Sequence, residues 1–233
     1  MTTEPEASPS VTRRYMLIGG IAVIAVVAAG GAGHYLWNSP DTAAAQSGSG
    51  GEVPMADLLA PGPLGDEIQG SADAPVTIVE YASMTCPHCS HFHETTYPEL
   101  KKKYIDTGKV RFIFREFPLD QLAAGAAMLA RCAGKDKYFP LIDAFFSQQK
   151  EWVVQKPLQP MLAIAKQAGF TEQSFNECLA NQQILDGLKE TQNRAAQKFN
   201  VNSTPTFFIN GKIFRGALTP EELDKQVAPY LKG

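Results

Sequence analysis

The first 85 residues contain no cysteine, and the whole chain holds four. A lipid-modified N-terminal cysteine is therefore excluded. Basic residues are missing from the long stretch between Arg14 and Lys101, and no Asp, Glu, Lys or Arg falls between Tyr15 and Trp37. Positive charge is not in excess either: the formal net charge is −3, which gives nucleic acid no electrostatic footing. Charged residues make up 19% against 44% hydrophobic, so a packed core is expected and wholesale disorder is not. No internal repeat is present. At 233 residues the length bounds the chain to one or two domains.

The uncharged run 15–37 would be about 34 Å long as a helix, enough to cross a hydrocarbon layer of about 30 Å. Gly19, Gly20, Gly30, Gly31 and Gly33 would weaken a soluble helix but are common in membrane spans. Arg13 and Arg14 lie just before it, so the charge asymmetry places residues 1–14 in the cytoplasm and the rest outside. The segment is thus a signal-anchor or a signal peptide. Ala43-Ala44-Ala45 offers a small-residue cleavage site, or is simply part of a linker. Thr12-Arg13-Arg14-Tyr15-Met16-Leu17 resembles a twin-arginine export signal, with an ordinary basic flank as the plainer alternative. Residues 38–65 are rich in Gly, Pro, Ser and Ala and read as a flexible tether.

From residue 66 the pattern becomes globular. Val76 to Tyr81 is a β-branched run that reads as a strand; a helical stretch to Lys103 follows, then a second strand over Val110 to Phe114. Strand, helix and strand in that order predict parallel pairing with a crossover. Residues 119–199 are helical in character, with Leu122, Ala126, Leu129 and Ala133 at three- and four-residue spacing, and read as an inserted subdomain. Trp152, Phe145, Phe146, Phe170 and Phe175 are expected in its core. Asn210-Gly211 supplies the positive φ angles of a tight hairpin between Thr206–Ile209 and Lys212–Phe214. Thr219-Pro220-Glu221-Glu222 opens a last helix with a capping box.

Cys86-Pro87-His88-Cys89 carries the chemistry. Two thiols separated by two residues close a small ring when the first sits at a helix N-terminus. Unpaired backbone N–H groups and the helix dipole there favour the Cys86 thiolate. Pro87 costs nothing in a first helical turn, and a protonated His88 would add positive charge beside the same sulfur. A stabilised thiolate means a stabilised reduced form, hence an oxidising disulfide. Cys89, one turn inward, is the expected resolving thiol. The competing reading is a zinc site written from Cys86, Cys89, His91 and His93. Four ligands within eight residues of one helix start reach a tetrahedron poorly, and no second ligand pair exists elsewhere, so no metal or other cofactor is expected. Cys132 and Cys178, both in the insertion, are expected to pair as a structural disulfide if exported; two separate buried thiols are the alternative.

Asp73 to Tyr81 leading into Cys86-Pro87-His88-Cys89 resembles the DsbA family of bacterial disulfide oxidoreductases. So do Arg115-Glu116-Phe117-Pro118-Leu119, the helical insertion, and Thr204-Pro205 before the hairpin. The likeness covers about residues 66–233 and implies an α/β thioredoxin-like fold with an inserted helical subdomain. It implies a cis Pro205 packed against the disulfide, with the Thr204 backbone pairing an extended substrate segment. It also implies that Glu80 is buried near Cys89 and relays its proton. The implied activity is donation of the Cys86–Cys89 disulfide to reduced exported proteins in the periplasm, with a DsbB-like, quinone-coupled membrane protein as reoxidant. A Thr before the proline also occurs in isomerase and reductase relatives, so a disulfide isomerase or reductase is the rival reading.

Overall fold

The computed structural model describes residues 48–231. The expected cytoplasmic tail, the expected span at 15–37 and the start of the tether lie outside the described residues. Among the described residues no helix is long and apolar enough to cross a membrane.

Strand β1 (Gly48–Glu52) leads to a short helix α1 (Met55–Leu59), then to β2 (Glu67–Gln69) and β3 (Val76–Ala82). Helices α2 (Pro87–Thr95) and α3 (Tyr97–Leu100) run into one π-helical turn (Lys101–Ile105) before β4 (Val110–Glu116). Six helices follow: α4 (Gln121–Cys132), α5 (Lys135–Ser147), α6 (Gln149–Trp152), α7 (Leu158–Gln167), α8 (Glu172–Leu179) and α9 (Gln182–Phe199). The hairpin β5 (Thr206–Ile209) and β6 (Lys212–Arg215), helix α10 (Pro220–Val227) and a 3-10 turn (Ala228–Tyr230) complete the order.

The sheet runs β1-β6-β5-β3-β4-β2. β3 and β4 pair in parallel, Val76 opposite Val110 through Ala82 opposite Glu116, as the strand–helix–strand pattern predicts. β3 and β5 pair antiparallel, so β3 is central and every one of its residues is buried. A strand covered on both faces needs apolar side chains on both, which is why Val76 to Ala82 is nearly unbroken in hydrophobicity. Its one charged residue, Glu80, is fully buried.

Successive side chains of a strand point to opposite faces. Ile78 and Ala82 join a large cluster with Cys89, Phe92, Phe114, Phe146 and Trp152 under the inserted helices. Val79 and Tyr81 join a smaller one with Leu58, Phe199 and Phe208 on the other face. Glu80, between Val79 and Tyr81, therefore shares the face that receives α2. The insertion is tied to the sheet by Glu116 at the end of β4. Arg131 Nη2 of α4 donates to Glu116 Oε2 at 2.7 Å, and the Tyr138 hydroxyl of α5 donates to Oε1 at 2.6 Å.

The mixed sheet, the hairpin with positive φ at Asn210 and Gly211, and the capping box at Thr219 and Glu222 follow the sequence reading. The tether is a correction. Residues 48–59, read as flexible, form β1 and α1: β1 pairs antiparallel with β6, Val53 N donates to Gly211 O at 2.8 Å, and Leu58 is fully buried. Gly-Ser-Gly-Gly-Glu has no side-chain alternation to betray a strand. Its pairing comes from backbone groups meeting the open edge of β6.

Candidate active site

Cys86 is the N-cap of α2, with extended backbone (φ −78°, ψ 120°), and Pro87 occupies the first helical turn. A proline there gives up an N–H that would have had no intrahelical partner, so the helix starts at no cost. The turn leading in is braced at several points. Cys86 N donates to Ser83 O at 3.1 Å, Thr85 Oγ1 to Asp120 Oδ2 at 2.7 Å, and Leu119 N to Ser83 Oγ at 3.2 Å. From α6, the buried Gln149 reaches across with Nε2 donating to Met84 O at 2.8 Å and to Cys86 O at 3.1 Å. Nothing in the sequence marks Gln149, because its partners are backbone carbonyls more than 60 positions away.

Cys86 is 6% exposed and Cys89 is fully buried. Both are free thiols, so the arrangement described is the reduced one. The Cys86 sulfur is pushed down from 9.0 to about 5. The largest cause is the hydrogen bond it accepts from the Cys89 thiol; burial opposes it, and the Thr204 side chain and the N–H groups of Cys89 and His88 add to it. His88 therefore acts through its backbone, while its ring is exposed. Cys89 is pushed well above 9.0, first by burial, then by its bond to Cys86 and the negative charges of Cys86 and Glu80. The two sulfurs differ because one meets the helix start and the other the core.

The Thr204–Pro205 peptide bond is cis, and the protonated Cys86 sulfur donates to Thr204 O at 3.2 Å. Glu80 accepts from His93 Nε2 at 3.0 Å, with both side chains buried. His93 Nδ1 lies 3.6 Å from Asp143 Oδ1 of α5, and its ring stacks on Phe146 with centroids 4.3 Å apart. The four candidate zinc ligands are not brought together. His93 turns to Glu80, His91 is exposed, and no group of three or more His, Cys, Asp or Glu among the described residues is placed to hold a metal ion. Cys132 and Cys178 are joined in a disulfide between α4 and α8. Phe145, Phe146, Phe175 and Trp152 are buried in the insertion, whereas Phe170 is only partly so.

A thioredoxin family model matches residues 64–228. A putative protein-disulfide oxidoreductase of Rickettsia bellii is 37% identical over 148 residues, covering 63% of this chain and 57% of that protein. The chain thus spans just over half the length of that relative. Among solved structures, α-DsbA1 of Wolbachia pipientis is 32% identical with a TM-score of 0.68, covering 75% of this chain and 97% of that one. Oxidised BdbD of Bacillus subtilis shares the fold at 22% identity, with a TM-score of 0.66 and coverage of 80% and 99%.

Proposed function

Since the chain belongs to the DsbA-like branch of the thioredoxin family, we propose that it is a dithiol oxidase of the bacterial cell envelope that donates the Cys86–Cys89 disulfide to reduced exported proteins. The observation that carries this reading is the separation of the two sulfurs, one pushed down to about 5 at a helix start and the other pushed well up in the core. A thiolate so favoured stabilises the reduced pair and makes its disulfide a strong electron acceptor.

In the reaction, a substrate thiolate attacks Cys86 Sγ of the oxidised pair. The S–S bond breaks, its electron pair leaves on Cys89, and Cys89 takes up a proton. A second substrate thiol, having lost its proton, attacks its neighbour's sulfur in the mixed disulfide, and Cys86 departs as the thiolate. Two electrons pass to the enzyme, and the client keeps the new disulfide. The Thr204 backbone beside Cys86 is the strip against which an extended client would pair. A DsbB-like, quinone-coupled membrane protein would restore the disulfide. Residues 15–37 would deliver the chain to the periplasm and, if retained, hold it near that partner at high effective concentration.

Equilibration of the Cys86–Cys89 pair with glutathione tests the reading. An oxidase is more than half reduced in buffers where a reductase stays oxidised. A pair that remains oxidised there overturns the oxidase reading in favour of a reductase or isomerase.

A further inference from the structure

Release of Cys89 as a leaving group creates a negative charge in a fully buried place, and the proton that neutralises it must reach a sulfur with no exposed surface. Glu80 is the acid whose charge acts on that sulfur, and it has no exposure of its own. Glu80 therefore needs a supply from outside.

Four buried side-chain polar atoms among the described residues lack a hydrogen-bond partner, and two of them are Glu80 Oε1 and His93 Nδ1. These are the two free ends of the Glu80–His93 pair. An ion pair kept only for stability has every reason to satisfy both, since an open buried polar atom costs about 1–3 kcal/mol. Here the inner end stays open on the α2 side of the sheet, and the outer end faces Asp143. At 3.6 Å that outer contact is an ion-pair distance and not yet a hydrogen bond. The Asp143 side chain is 49% exposed, so it can rotate to close the gap and still meet solvent. A cavity of about 360 Å³ opens at this point, lined by His93, Glu94, Tyr97, Lys101, Asp143 and Phe146.

We propose that His93 and Asp143 form the outer part of a proton path that joins solvent in this cavity to Glu80 and, through it, to the sulfur of Cys89. The inference rests on the oxidoreductase reading and extends it to two residues that touch neither client nor reacting sulfur; both are positioning residues for the proton. When Cys89 leaves, it takes the proton held by the Glu80–His93 pair, which is left as a carboxylate and a neutral imidazole. The imidazole, left with its one proton on Nδ1, shifts that proton to Nε2 by tautomer exchange, and the vacated Nδ1 then takes a proton from solvent by way of Asp143. On reoxidation the same proton returns along the same path. The titratable groups that face His93 are Glu80 from β3, Asp143 from α5 and Tyr97 from α3, with Glu94 and Lys101 on the cavity wall. Burial works against a charge on His93, but Glu80 and Asp143 outweigh it and push the imidazole up to about 9, so the pair carries its proton at neutral pH.

The test follows reduction of the oxidised full-length protein by dithiothreitol in a rapid-mixing instrument across pH 5–11, for wild type, Asp143→Asn, Asp143→Ala and Asp143→Glu. Position 143 is half exposed, so the neutral variants keep the core intact; the alkylation midpoint of Cys86 serves as the check and stays near 5. The neutral variants are expected to react about tenfold more slowly at pH 8, with the alkaline fall of the rate moved to lower pH, while Asp143→Glu restores both. Wild-type rates and an unmoved alkaline limb in both neutral variants would overturn the proton path and leave the oxidoreductase reading standing. A wild-type protein that does not exchange with dithiothreitol at any pH overturns the functional reading, and the path with it.

Discussion

The sulfur of Cys86 lies 3.2 Å from the carbonyl oxygen of Thr204, a residue 118 positions later in the chain. Only the protonated sulfur can donate to that oxygen. Once ionised, it draws instead on the Cys89 thiol, the Thr204 side chain and the N–H groups at the start of α2. The reactive atom is thus placed between a helix beginning and a turn that β5 carries in from the far end of the sequence. Either side alone would leave the sulfur half built.

Ionisation of Cys86 is directly measurable. Alkylation of the reduced protein by iodoacetamide, followed against pH, should show a midpoint near 5 at Cys86 while Cys89 stays unreactive through neutral pH. A midpoint near 8.5, that of an ordinary thiol, would remove the basis for an electron-accepting disulfide.

Stability should depend on pH and redox state together. The Cys86 thiol titrates near 5 in the folded reduced protein and near 9.0 when unfolded, so the folded form binds fewer protons between those values. Its contribution to the reduced form is therefore complete above about pH 9 and is lost as pH falls through about 5. Urea melts of the two redox forms should show the reduced form's advantage shrinking steadily from pH 9 to pH 5. An advantage that is flat over this range would contradict the assignment.

Gln149 braces the active-site turn from the insertion. Gln149→Ala strips the amide donor from Met84 O and Cys86 O, leaving Cys86 O with only the N–H of Ser90 and taking from Met84 O its side-chain partner. A loss of about 1–3 kcal/mol in urea unfolding is expected. The Cys86 alkylation midpoint should change as well, because the turn that aims the sulfur is loosened.

The Cys132–Cys178 bridge closes a loop of 46 positions within the insertion. Replacing both residues by serine should cost about 4 kcal/mol by chain entropy, less any relief of native strain. The double variant should still exchange with dithiothreitol, since neither sulfur adjoins Cys86. Loss of exchange in a variant that remains folded would show that the bridge is more than a staple.

The sequence alone determined whatever rests on local chemistry and short-range periodicity. The Cys-x-x-Cys spacing with Pro87 inside it specifies a thiol at a helix start. The β-branched run of β3, the Asn210-Gly211 turn and the Thr219–Glu222 capping box specify elements whose hydrogen bonds close within a few residues. Strand β1 was hidden, because glycine and serine carry no side-chain pattern and its bonds are made to β6, more than 150 residues on. The partner of Glu80 was equally hidden. His93 looked like a spare metal ligand until the packing of α2 on β3 turned it towards the carboxylate and α5 brought Asp143 to its other side. Tertiary structure decided these features because burial, and the charges that accompany it, depend on which distant surfaces meet.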